Sequence, residues 1–110
     1  MSEYFVYPVR VTLNRSFDTE PFGFSVGTVE TMPYYHPIIN VIAGSVAYAK
    51  GLLISDEIVK VDDVYVANSR SDDVAQTLSK YKGLSITLTV NRFRSIKDRL
   101  AWQQKLAIDL

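Results

Sequence analysis

Residues 21–26 read Pro21-Phe22-Gly23-Phe24-Ser25-Val26. A glycine stands between two aromatic residues, a polar loop precedes it, and an apolar–polar alternation begins after it. Glycine adopts turn geometries that other residues avoid. A tight turn here would aim consecutive amide N–H groups into one small space. Such a nest binds an anion, and a carboxylate is the commonest protein anion. Phe22 and Phe24 would wall an apolar pocket beside it. The same residues also fit a plainer role, a glycine at the entry to a hairpin with two core aromatics. The flanking sequence decides between the two.

Upstream, Val9, Val11 and Leu13 alternate with Arg10, Thr12 and Asn14, the period of a half-buried strand. Residues 15–21 are a polar loop. Downstream, Phe24 and Val26 open a second strand, and residues 31–37 form a loop bracketed by prolines. Ile38-Ile39-Asn40-Val41-Ile42 is a third strand, dense in β-branched residues. Gly44 and Ser45 start a short helical piece that runs to Lys50 and is stopped by Gly51. Glu57 to Val61 and Val64 to Val66 are strands on either side of an Asp62-Asp63 turn. A helix is expected from about Ser71 to Tyr81, ended by Lys82-Gly83. Ile86, Leu88 and Val90 mark the last strand. This order predicts a mainly β, α+β domain over residues 1–93, with about five or six strands in a partly open antiparallel barrel or sandwich capped by two helices.

Residues 94–110 form a separate C-terminal helical extension. Ser95 followed by Asp98 is a capping-box pattern, and the segment holds no Gly or Pro. The pattern predicts a helix from about Ser95 to Lys105. Ile96 and Leu100 share one face of it, Trp102 and Leu106 another. A helix this short needs something to pack against.

A chain of 110 residues fits one domain, and its 47% apolar content suffices for one core. Acidic and basic residues balance at 12 each, so no net field favours nucleic acid. Residues 92–110 nevertheless carry five basic residues against two acidic ones. The absence of cysteine removes disulfides, thiol catalysis and thiolate metal sites. Met1-Ser2-Glu3-Tyr4 has no signal-peptide pattern and no apolar run approaches a membrane span, so a cytoplasmic location is expected. His36 is the only histidine and lies in a loop with no acid nearby in sequence. It reads as a surface histidine. A Ser-His-Asp triad would have this one possible centre, and no second ligand stands at metal spacing. Neither an enzyme nor a cofactor is expected.

Over roughly residues 8–92 the chain resembles a PDZ domain. Phe22-Gly23-Phe24 after Pro21 is similar to the family's carboxylate-binding loop, usually Gly-Leu-Gly-Phe. Arg15 sits where the family often has a basic residue. Gly44-Ser45-Val46-Ala47 with Gly51-Leu52 resembles its small-residue first helix, and Ser55-Asp56-Glu57-Ile58-Val59-Lys60-Val61 its Gly-Asp-Glu-Ile-Leu stretch. Val74-Ala75 and Leu78 match its second helix. Three departures stand out. Pro21 replaces the loop's first glycine, Asp62-Asp63 replaces an Asn-Gly turn, and Ser71 falls where many members carry a ligand-reading histidine.

The resemblance implies a module that binds the C-terminal tails of partner proteins by strand addition beside the second strand. The amides of Phe22, Gly23 and Phe24 would hold the terminal carboxylate, with Arg15 adding positive potential. Phe22, Phe24, Val26 and Leu78 would line a pocket for the last side chain. Ser71, Ala75 and Leu78 share one helix stripe and would border the groove together with Ser25 and its strand. The Ser71 hydroxyl is either free to bond a ligand or spent as a helix cap, and Ser69 with Asp72 also fits a capping box. With the hydroxyl spent, Ser71 and Ala75 form a small apolar slot that favours an apolar or aromatic residue two before the ligand's end. The expected partners are peptides with an aliphatic last residue. Two further associations fit the composition. Arg92, Arg94, Lys97, Arg99 and Lys105 with Trp102 could rest on anionic lipid. The ending Ile108-Asp109-Leu110 itself resembles such a ligand, so one chain could bind another tail-first.

Overall fold

The computed structural model describes residues 5–109. Strands β1 (Val6–Asn14), β4 (Glu57–Val61), β5 (Val64–Tyr65) and β6 (Ser85–Phe93) form one antiparallel sheet in the order β1-β6-β4-β5. Strands β2 (Phe24–Val26) and β3 (Ile38–Val41) form a second, two-stranded sheet. Three helices complete the described residues: α1 (Val46–Ala49), α2 (Ser71–Ser79) and α3 (Ile96–Asp109). The sheets meet where β3 passes β4. The Ile38 N–H donates to Asp56 O at 2.7 Å, and the Ile58 N–H donates to His36 O at 2.9 Å. The arrangement is open rather than a closed barrel.

The alternating residues of the sequence become one core. Val11, Leu13, Ile58, Ile86, Leu88 and Val90 point inward from the large sheet and meet Phe22, Ile38, Ala47 and Leu52. Ser45 caps α1 by accepting the Tyr48 N–H, and Gly51 follows the helix at φ 81°. Ser95 likewise accepts the Asp98 N–H at 3.0 Å at the start of α3. That helix continues beyond the expected Lys105 to Asp109, whereas α2 stops at Ser79, two residues early. Leu110, on which the tail-first reading turns, lies outside the described residues.

Several polar residues behave as the sequence does not suggest. His36 is fully buried rather than a surface residue. Its carbonyl is held by β4, which turns the ring inward, where Nε2 meets Val66 O at 2.8 Å. Asp56 is buried too. It takes two hydrogen bonds from Arg92, at 3.0 and 2.7 Å, and one from the Leu53 N–H at 2.9 Å. Asp62 and Asp63 both have positive φ, 48° and 68°, as a two-residue hairpin turn of this hand requires. Asp62 Oδ1 accepts the Thr87 N–H and Oδ2 accepts the Tyr81 hydroxyl, so its side chain anchors the turn.

Arg15 joins the loop before β2 to the segment after α2. Its Nε donates to Gly83 O at 2.9 Å, one terminal nitrogen to Glu20 O at 2.9 Å, and the other to Tyr81 O at 3.0 Å. The guanidinium also lies 4.1 Å from the centroid of the Phe22 ring. Lysine has the charge but not the planar fork. Arg15→Lys is therefore expected to cost about 1–3 kcal/mol, read as a lowered urea midpoint with an unchanged slope.

Ser55 stands at φ 78°, and its buried hydroxyl has no hydrogen-bond partner among the described residues. A side chain at positive φ costs about 1–2 kcal/mol, and an unsatisfied buried hydroxyl adds to that. Glycine removes both and adds a smaller chain-entropy cost of about 0.5–1 kcal/mol. Ser55→Gly should stabilise the fold by about 1 kcal/mol and raise the thermal midpoint by several degrees.

Candidate functional site

The loop ahead of β2 has its carbonyls turned inward. Phe22 O accepts the Ala47 N–H of α1 at 2.9 Å, and Gly23 O accepts the Ile42 N–H at 2.8 Å. The described chain has no cis peptide bond. In a planar trans peptide the N–H points opposite to the C=O. The amides of Gly23 and Phe24, which share those two peptide planes, therefore point outward, away from α1 and β3. Each of the two successive donors thus faces away from the element that holds its carbonyl. Gly23 is required for this geometry on two counts. Its φ is 95°, and a Cβ there would lie 2.1 Å from Ser45 Cβ.

The outward direction continues along β2. Phe24 pairs with Val41 and Ser25 with Asn40, and after a bulge Val26 pairs with Ile38. The bonds that flank this register, Ile42 N–H to Gly23 O and Gly27 N–H to Pro37 O, set its phase. In an antiparallel ladder the bonded pairs alternate. Ser25 therefore directs its backbone groups at β3, while Phe24 and Val26 direct theirs at the other edge, which no strand of the described residues pairs. Side chains alternate as well. Phe24 and Val26 pack partly buried on the core, and Ser25 is exposed.

Helix α2 lies along that edge, antiparallel to β2. At one end Phe22 meets Tyr81, with ring centroids 6.3 Å apart. At the other, Thr28 and Val29 face Arg70, Ser71 and Asp72 across a cleft of about 460 Å³ that Glu30 and Pro33 also line. Leu78 packs on the same core as Phe24 and Val26, while Ala75 is half-buried one turn after Ser71. The structure thus brings Phe22, Phe24, Val26 and Leu78 onto one core and sets Ser71, Ala75 and Leu78 along α2. Arg15 lies under the loop, with each guanidinium nitrogen bonded to a carbonyl. The Asp62 carboxylate, by accepting its hydrogen bond, raises the Tyr81 phenol above its usual range.

Ser71 does not cap α2, and neither does Ser69. The helix begins after Arg70 with no side-chain cap. The Ser71 hydroxyl instead shares its one proton across the cleft mouth between Tyr35 O at 2.6 Å and Pro33 O at 2.9 Å, and its N–H donates to Pro33 O at 2.7 Å. Sequence reasoning missed this clasp, because its acceptors are main-chain carbonyls 36 and 38 residues away. The Tyr35 side chain turns to α3. Its ring meets Trp102 edge-on at 5.6 Å, and its hydroxyl accepts the Trp102 indole N–H. Burial pushes the Tyr35 phenol well above its usual range, partly offset by that hydrogen bond. Trp102 also packs on Phe93. Two of the residues that a lipid-facing helix would use are therefore engaged within the fold, Trp102 here and Arg92 on Asp56. Ile96 and Leu100, which share one face of the helix, are mostly exposed. No helix of the described residues is long and apolar enough to cross a membrane.

Residues 10–91 match the family model of the PDZ domain. Over 86 residues, 76% of this chain, the sequence is 36% identical to the PDZ and LIM domain protein Zasp of Drosophila melanogaster, of whose length the chain spans 4%. The fold aligns, with a TM-score of 0.65, with a choanoflagellate PDZ domain, that of SHANK1 bound to a GIRK3 peptide; the match covers 79% of this chain and 93% of that one at 18% identity. A likeness at that identity speaks for the fold, and the family model and the Zasp relative speak for descent. Carrying its inward-turned loop carbonyls and an unpaired strand edge beside α2, the chain belongs to the PDZ domain family.

Proposed function

We propose that the groove between β2 and α2 takes the C-terminal residues of a partner protein as an added antiparallel strand. The observation that carries this reading is the pair of outward amides, Gly23 and Phe24, at the end of a strand edge left unpaired. A terminal carboxylate supplies the anion for those donors in charge-assisted hydrogen bonds. The ligand's backbone continues the ladder on Phe24 and Val26. The last side chain enters between Phe22, Phe24, Val26 and Leu78 and is aliphatic. Arg15 holds the loop in place and adds positive potential near the carboxylate. The commitment of the Ser71 hydroxyl to Pro33 and Tyr35 supports a slot, with Ala75, that is filled two residues before the ligand's end by an apolar or aromatic side chain. In this role the chain is an adaptor with no chemistry of its own.

So small a contact sets affinities on the order of micromolar. Fluorescence titration with peptides that differ only in a free or amidated C-terminus checks the carboxylate. Amidation should weaken binding about tenfold or more, and Gly23→Glu should abolish it in a variant that still melts cooperatively. Equal binding of free and amidated forms would defeat the reading. In the same titrations Leu or Phe two residues before the end should outbind Ser and Thr, and the reverse order would remove the slot.

A further inference from the structure

The clasp at the start of α2 leads away from the groove to the C-terminal helix. Ser71, the first residue of α2, is bound through both its N–H and its hydroxyl to the carbonyls of Pro33 and Tyr35. The Tyr35 side chain leaves on the other side and is held by Trp102, through the indole N–H and an edge-on ring contact. Trp102 in turn rests on Phe93, which β6 holds in register opposite Val6. A contiguous series of contacts therefore runs from the large sheet through α3 and the β2–β3 loop to the groove's upstream wall. The cleft there is lined by Thr28, Pro33 and Ser71. Gln103 adds a weak second attachment, at 3.4 Å to Ile54 O.

We propose that Trp102 is a positioning residue for peptide binding, because it holds Tyr35 and through it the Ser71 clasp that forms the upstream end of the groove. This rests on the groove reading above. The physical cause is ordering. With Trp102 in place the 33–35 segment is already fixed when the ligand arrives. Without it, the Tyr35 phenol loses its donor and its ring partner, the carbonyls offered to Ser71 wander, and binding must order the segment again. Ordering one or two side chains on binding corresponds to a loss of about three- to tenfold in affinity. A helix that merely covered the sheet would leave Ser71 indifferent to the side chain at position 102.

The test uses the full chain with Trp102→Ala, and Tyr35→Phe as a milder variant that removes only the hydroxyl. Lys97→Ala, at an exposed site on α3, is the control. Two readouts are taken on each. One is backbone amide exchange at Ser71 against Leu13 and Leu88 in the β1–β6 ladder. The other is the dissociation constant of a fluorescent hexapeptide ending in a free Val or Leu. The expected result is faster exchange at Ser71 with the Leu13 and Leu88 amides unchanged. It is accompanied by binding weakened about three- to tenfold for Trp102→Ala and less for Tyr35→Phe, with no change for Lys97→Ala. Unchanged Ser71 exchange, unchanged affinity, or exchange that rises equally at all three amides would overturn the proposal. Should Trp102→Ala fail to fold, the two Tyr35→Phe readouts decide it. If the intact chain binds neither free nor amidated peptide, the groove reading falls and the binding role with it. Ser71 exchange then still decides whether Trp102 holds the clasp, so the two failures are told apart.

Discussion

Two peptide planes govern the site. The carbonyls of Phe22 and Gly23 are each claimed from inside the molecule, one by the first turn of α1 and the other by the residue after β3. Because a peptide unit is rigid and trans, fixing its oxygen fixes its N–H. The outward donors are thus a consequence of where α1 and β3 sit. Gly23 is needed because α1 approaches so closely that a methyl group would collide with Ser45. Arg15 completes the constraint from below. It ties Glu20, Tyr81 and Gly83 together, so the loop and the segment after α2 are set as one unit. Backbone donors held this way would need no reorganisation for an anion, and in the proposed function this is how a neutral loop would take a carboxylate.

The buried Asp56 has the corresponding role for the rest of the fold. The turn before β4 leaves the Leu53 N–H to be satisfied, and the carboxylate does so while it is bound in two-pronged fashion by Arg92 from β6. The position beside it, Ser55, carries positive φ. Asp56 O then accepts the Ile38 N–H, and this is the point where the two sheets join. A charge taken out of water is tolerable only when its partners are this complete. The tie between sheets thus depends on a basic residue drawn from the excess at the end of the chain, which looks from composition like a solvated surface charge.

How much of the site could be read in advance differs by residue type. Gly23 between Phe22 and Phe24 announces its turn because few residues adopt that geometry. The apolar stripe of β1 and β6 and the Glu57–Val61 strand were legible from a period of two. Ser95 was legible as a helix cap because its acceptor role is local, three residues away. Ser71 was legible as a small residue at a helix start but not in what its hydroxyl does. Local rules pointed to a cap, whereas tertiary contact supplies two carbonyls from a distant loop. His36 failed as a surface residue, and the carbonyls that Arg15 clamps went unseen, for the same reason, since the partners of a polar side chain are not revealed by a strand or loop pattern.

By itself, then, the sequence determined the order of strands and helices, the glycine-centred loop and the family resemblance. These follow from backbone propensity and side-chain periodicity, which act over a few residues. Only the tertiary structure decided which way the loop amides face, that Arg15 is a clamp, that Ser71 is tied to Pro33 and Tyr35, and that Trp102 turns inward from α3. Each of those depends on at least one hydrogen-bond or ring partner far away in the chain, as between Gly23 and Ile42, Arg15 and Gly83, or Tyr35 and Trp102. Such pairings are set by how the core closes, and no local pattern of residues encodes them.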